Sequence, residues 1–291
     1  MNTTRPMAWS VRREIWENRS IYLAPLIVTA VVLFATMIST VTLPRKLRSL
    51  PPLEPAKQHA AMVRPVSLAP APIMLTAILV GFFYSLDALY GERRDRAILF
   101  WKSLPVSNAT TVLSKVAIPA MVLPGIALVL SVITQLILLF ESTLILLGSG
   151  LGAGRLWSEF RFFEGLPIMV YGLAIHTLWF LPINAWLLLI SAWARRATLL
   201  WAVLPLLAIG AVEKILFNTT YFMSMLRYRF MGAMIEGFGM KMLPGHSGDI
   251  ERLSQLTPIR FLGSAGLWTG LIVAAMFIAA AIRLRRNREP I

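Results

Sequence analysis

Tyr90-Gly91-Glu92-Arg93-Arg94-Asp95-Arg96-Ala97-Ile98-Leu99-Phe100-Trp101-Lys102-Ser103-Leu104-Pro105 interrupts two long apolar runs in this 291-residue chain. The stretch is too short for a domain and too amphipathic for a simple turn. Glu92 and Arg96 have i,i+4 spacing, which favours a helical ion pair. Ile98, Leu99, Phe100, Trp101 and Leu104 form a bulky cluster beside them. Pro105 stops the helix, and Ser107 or Asn108 is placed to cap the next one. Two readings follow from the residues. The helix lies on a membrane surface with its apolar side in lipid, or it docks those side chains into a partner, since aromatic anchors inside a charged rim have the anatomy of an interface hot spot.

The flanks place the stretch at a membrane. The chain is 57% hydrophobic and 14% charged, against about 25% charged in soluble domains. The deficit comes from charge-poor runs of the length that crosses a bilayer, about 20 residues. Spans are expected at residues 21–43, 73–90, 110–140, 167–192, 198–217 and 261–282. An amphipathic helix over 7–18 precedes them, with Ala8, Val11 and Ile15 on one face and Arg13 and Glu17 paired at i,i+4. Residues 44–72 read as a polar, proline-rich connection without periodicity. The apolar run after 140 reads as an interfacial continuation, and 218–260 as an amphipathic segment on the outer side. The first span is too long for a signal-peptide core and lacks a small-residue cleavage site. The chain is therefore expected to be an all-α integral membrane protein, a single transmembrane domain with six spanning helices.

Charge orients it. The net +14 divides with a modest bias to one side, and the weight lies in arginines where short loops meet span ends, Arg93, Arg94, Arg96, Arg195, Arg196 and those at 283, 285, 286 and 288, which marks that side as cytoplasmic. Both termini are then cytoplasmic. No soluble segment is long enough for a nucleic-acid reader fold, so nucleic acid is not an expected partner.

Several chemistries lack their residues. The chain has no cysteine, hence no disulfide, thiolate metal site or cysteine nucleophile. No phosphate loop and no Gly-x-Ser-x-Gly is present, and His59, His176 and His246 sit in three separate segments. No catalytic residue and no metal site is expected. The methionines at 223, 225, 231, 234, 240 and 242 could suggest Cu(I), but no histidine or cysteine reinforces them, and an adaptable apolar surface is the simpler reading. Within the spans, His176, Asn184, Gln135 and Glu213 are the polar groups that could line a translocation path. Each also has a structural explanation, Gln135 as interhelical glue and Asn184 as a partner for backbone freed by Pro182. Asp87 lies one turn inside the second span, with Lys115 or Arg195 as candidate partners in a structural ion pair.

Residues 87–115 carry a resemblance. Leu89 to Arg96, followed by Trp101-Lys102-Ser103-Leu104-Pro105-Val106-Ser107 and then Lys115, resembles the segment between spans 2 and 3 of bacterial ABC transporter permeases of the ABC-2 type. The layout of the whole chain is similar to that family. The resemblance implies a membrane subunit of the bacterial inner membrane, expected to be an exporter, pairing with a second permease copy as a homodimer or heterodimer. A separate ATPase subunit would bind ATP and Mg. Residues 91–106 would be the coupling helix, with Glu92, Arg93, Arg94, Asp95, Arg96, Ile98, Leu99, Phe100, Trp101 and Lys102 contacting that subunit. Phe100 and Trp101 would be its anchors, and Glu92 to Arg96 its rim. The rival readings are a non-catalytic membrane anchor or assembly factor and a membrane-embedded enzyme.

Overall fold

The computed structural model describes residues 4–49, 55–95, 106–150, 152–160, 162–239 and 256–287. Among them every regular element is helical. In chain order they are α1 (Thr4–Glu17), α2 (Ser20–Val41), α3 (Leu43–Ser49), α4 (Pro55–Leu68), α5 (Pro70–Arg94), α6 (Asn108–Ala117), a π-helical turn (Ile118–Val122), α7 (Leu123–Gly148), α8 (Gly154–Glu159), α9 (Phe162–Trp193), α10 (Thr198–Phe217), α11 (Tyr221–Phe238), α12 (Pro258–Gly263) and α13 (Ala265–Asn287). Six stretches are long and apolar enough to cross a membrane: 20–41, 57–94, 108–148, 156–193, 198–217 and 265–287.

The apolar runs found their spans for a simple reason. Once in lipid, every backbone N–H and C=O must be satisfied within the helix. α10 coincides with the expected span 198–217. It buries only Ala202 and Gly210, so nearly all of its surface faces outward. α2 likewise presents Leu26, Ile27, Val31, Phe34 and Ile38 outward. α5, α7, α9 and α13 form the inner bundle, with α2 packed on α5 and α7.

Four sequence expectations need correction. Residues 44–72 are not an aperiodic connection but contain α3 and α4, because Pro44, Pro55 and Pro70 all fall in first turns, where proline is tolerated. The helix of the third span does not stop near 140. α6, the π turn and α7 run as 41 residues from Asn108 to Gly148, about 60 Å of helix, roughly twice a hydrocarbon core of about 30 Å. The excess is covered by protein. Leu139 and Leu146 of α7 pack with Met62, Val63 and Val66 of α4 and Leu156 of α8. The second span does not stop at Tyr90, since α5 continues to Arg94. The last span begins at Ala265, after the separate short helix α12.

The π turn has a chemical cause. Pro119 lacks an N–H, so the regular i→i−4 ladder cannot pass through it. Thr177 of α9 donates to the Ala120 carbonyl at 2.7 Å and gives that carbonyl a side-chain partner from another helix. Gly81 of α5 lets the turn approach: a β-carbon there would stand 3.2 Å from the Pro119 Cβ.

α11 is anchored against the bundle by Trp179, which is fully buried. Its indole N–H donates to the Arg229 carbonyl at 2.8 Å, Tyr228 meets it edge-on at 5.4 Å, and the Arg229 guanidinium lies 4.8 Å over its ring. Glu213 caps the start of α11, accepting from Thr219 Oγ1 and the Tyr221 and Phe222 amides. Met223, Met225, Met231 and Met234 are all exposed on α11, the adaptable surface expected of them; Met240 and Met242 lie outside the described residues.

Candidate functional site

The expected contact segment divides at its middle. Arg96, Ile98, Leu99, Phe100, Trp101 and Lys102 lie outside the described residues. Glu92, Arg93, Arg94 and Asp95 are the last turn and C-cap of α5. Arg94 and Asp95 are exposed and paired with each other at 2.9 Å. That hydrogen bond holds the Asp95 carboxyl below its ordinary range. Glu92 and Arg93 point the other way. They are 9% and 3% exposed, so they belong to the interior and not to an exposed rim.

Arg93 closes the end of α9. Its guanidinium donates to the Ala192 and Ala194 carbonyls, which have no partner further along the helix. Ser191, one turn back, accepts from the Leu89 and Tyr90 amides at 3.0 and 2.9 Å. The ends of α5 and α9 are thus joined through main-chain groups.

Glu92 sits in a buried charged node assembled from four helices. Arg285 of α13 donates to Glu92 Oε2 at 3.2 Å and to Asn108 Oδ1 at the start of α6. Lys115 of α6 lies 3.2 Å from Glu92 Oε1 and donates to both carboxylate oxygens of Glu14 at 3.0 Å. Tyr84 of α5 donates to Glu14 Oε2 at 2.7 Å. Arg13 is paired with Glu14 at 2.6 Å and Glu17 at 3.5 Å, and lies 3.6 Å from Glu92. Three cations therefore face three carboxylates. Burial raises the Glu14 carboxyl, but Lys115, the Tyr84 hydroxyl and Arg13 outweigh it, and the net shift is downward. Glu17 shifts upward because burial outweighs its one close cation, Arg13.

Local sequence explains the placement. Glu14 lies at i+3 from Val11, on the face α1 turns to the bundle. The opposite face carries Trp9 and Trp16, each more than 60% exposed, with Arg12 stacked on both rings, as suits a helix lying at a membrane interface. Ser107 caps α6 by accepting from the Thr110 amide at 3.0 Å, and so sets the direction in which Asn108 and Lys115 enter the node.

The expected Asp87–Lys115 pair does not form. Asp87 is more than half exposed and lies 3.7 Å from Arg94. Seven residues of unbroken helix bring those two nearly into line, while Lys115 points to α1. Periodicity alone missed Glu14 and Arg285. The available signal was a carboxylate on the apolar face of α1, and an arginine among four that all read as positive-inside charge.

The four polar span residues separate. His176 and Asn184 line one cavity between α5, the π turn, α9 and α11. Gln135 faces α4, with its amide 3.5 Å from the Val66 carbonyl. Glu213 is committed to capping α11. Among the described residues, no three His, Asp or Glu side chains converge to hold a metal ion.

No protein-family model, curated protein or solved structure matches this chain.

Proposed function

We propose that this chain is the membrane-spanning permease subunit of an ATP-driven transporter of the ABC-2 type, an exporter of the bacterial inner membrane with both termini cytoplasmic. The observation that carries the reading is the Arg285 clamp. One guanidinium holds Glu92, at the end of α5, and Asn108, at the start of α6, so both ends of the 96–105 connection are fixed to the last span. Through Lys115 and Glu14 the same node reaches α1. A force applied to that connection is delivered to several spans at once, the mechanical property a coupling helix needs. A surface helix that only rests on lipid has no use for such bracing.

In this reading the ATPase is a separate chain that binds ATP and Mg, and two permeases pair above two ATPase subunits. Phe100 and Trp101 anchor the contact, with Arg94 and Asp95 as the exposed rim. Glu92 and Arg93 brace it from inside.

The test is co-expression with candidate ABC ATPase subunits of the same genome, followed by purification from membranes and reconstitution. The expected result is a stable complex whose ATP hydrolysis is changed by Trp101→Ala. Purification of this chain alone from cells making both proteins, with hydrolysis indifferent to its presence, overturns the assignment.

A further inference from the structure

A cavity of about 420 Å³ opens inside the bundle, away from the charged node. That volume falls within the range of small-molecule sites, roughly 300–1,000 Å³. Small residues line it, Ala77 and Gly81 on α5 and Gly172 on α9, and a β-carbon at Gly172 would meet Phe238 of the cavity wall at 3.4 Å. Its walls are soft and apolar, with Met74, Met169 and Met234 contributed by three different helices. Methionine adapts to irregular apolar shapes.

No Asp, Glu, Lys or Arg among the described residues lines the cavity. A charged ligand would shed its hydration there without meeting a counter-charge, which is costly at membrane depth. Three polar side chains do line it: Ser67, His176 and Asn184. The His176 ring is stacked 4.7 Å from Phe180. The Asn184 side chain is 94% buried, its residue being 6% exposed, and Asn184 Oδ1 has no hydrogen-bond partner among the described residues. An amide buried without a partner is unfavourable, and Asn184 lies eight residues beyond His176, about 12 Å along α9. The site thus offers an apolar slot with one unmet hydrogen-bonding group at its deeper end.

We infer that this cavity binds an uncharged amphiphile, an apolar body carrying a hydroxyl that hydrogen-bonds the Asn184 amide. A hydroxyl both donates and accepts, so it satisfies whichever end of the amide it meets. Such a molecule could come from the bilayer as a neutral lipid or be a smaller diffusible compound; the chemistry recognised is the same.

The probe is a medium-chain alcohol bearing a diazirine, photolysed with the purified full chain in phosphatidylcholine nanodiscs. Adducts are mapped by mass spectrometry. They are expected on the α5 and α9 peptides containing Met74 and Met169, while the carboxylic acid of the same chain length, ionised at pH 8, gives background labelling. This comparison uses the unaltered chain, so it does not depend on a variant folding. Asn184→Leu is expected to weaken labelling about tenfold, the loss of one hydrogen bond, and Leu173→Trp to abolish it by filling the slot, both at unchanged elution profile. Competition by diacylglycerol assigns the site to a membrane lipid, and competition only by the unlabelled alcohol assigns it to a diffusible amphiphile. Equal labelling by alcohol and acid, or adducts scattered over α2 and α10 and unaffected by Asn184→Leu, overturns the inference. Binding is read on this chain alone, so the outcome is independent of any ATPase partner.

Discussion

Arg285 and Glu92, 193 residues apart in the chain, pair inside the bundle with Nη2 3.2 Å from Oε2. Both side chains are under a tenth exposed. Removing one partner of a buried ion pair leaves the other uncompensated, at a cost of about 3–5 kcal/mol. Glu92→Gln and Arg285→Met should each lower unfolding free energy in detergent by about that much. The double variant restores charge balance and should cost less than the sum by at least about 1 kcal/mol. Simple additivity in the cycle would show that the two residues do not act together.

The node also sets a pH dependence. The Glu14 carboxyl is held below its ordinary value of 4.5, since Lys115, Tyr84 and Arg13 outweigh the opposing effect of burial. A lowered folded-state value means the unfolded chain binds the proton more readily. The stabilisation is therefore complete above pH 4.5 and is lost as the pH falls through the folded-state value. Glu17 is shifted the opposite way, so the Glu14 contribution is best read as the difference between the native chain and Glu14→Gln. That difference should be constant from pH 7 to about 5 and shrink below it. A difference that grows on acidification would contradict the assignment.

Much of the fold could be read from the sequence, and the limits have physical reasons. α10 was found to the residue because it is an apolar run, charged only at Glu213 and Lys214 near its end, bounded by Arg196 and Asn218. α3 and α4 were missed because prolines were taken as breakers, when Pro44, Pro55 and Pro70 stand in first turns and α4 runs through Pro65. The continuation of α5 through Glu92 and Arg93 was missed because charge was taken as a sign of exposure. Those two residues are buried because cations and carbonyls from α13, α6 and α9, distant in sequence, complete them. The same blindness to distant partners gave Asp87 to Lys115. His176 and Asn184 were legible as polar groups within a span, but the cavity they share is lined from elements distant in sequence, among them α5, the π turn, α9 and α11, which no local pattern brings together.

Gly232 lets α11 lie close against Trp179. A β-carbon there would stand 2.5 Å from the Trp179 Cζ2 atom and 3.1 Å from Tyr228, and a buried indole has little room to yield. Gly232→Ala should destabilise by about 1–3 kcal/mol, the usual cost of overpacking. Protease accessibility of α11 should rise with it. Unchanged stability would mean that α11 stands further from α9.

Ala197 joins α9 to α10 with φ 50° and ψ 54°, in the left-handed region. A β-carbon costs roughly 1–2 kcal/mol in that conformation, and glycine avoids it but loses more conformational entropy on folding. Ala197→Gly should therefore leave the melting temperature unchanged or raise it. A clear fall would contradict the turn geometry.

The central claim is that an ATPase subunit takes hold of the connection between α5 and α6. A photo-crosslinking amino acid placed at Trp101 tests it most directly, with the same amino acid at Trp268 as control and a candidate ABC ATPase subunit co-expressed. The account predicts a crosslink to that subunit from position 101 and none from 268. Crosslinks from 101 to lipid alone, in cells where the subunit is abundant, would contradict it.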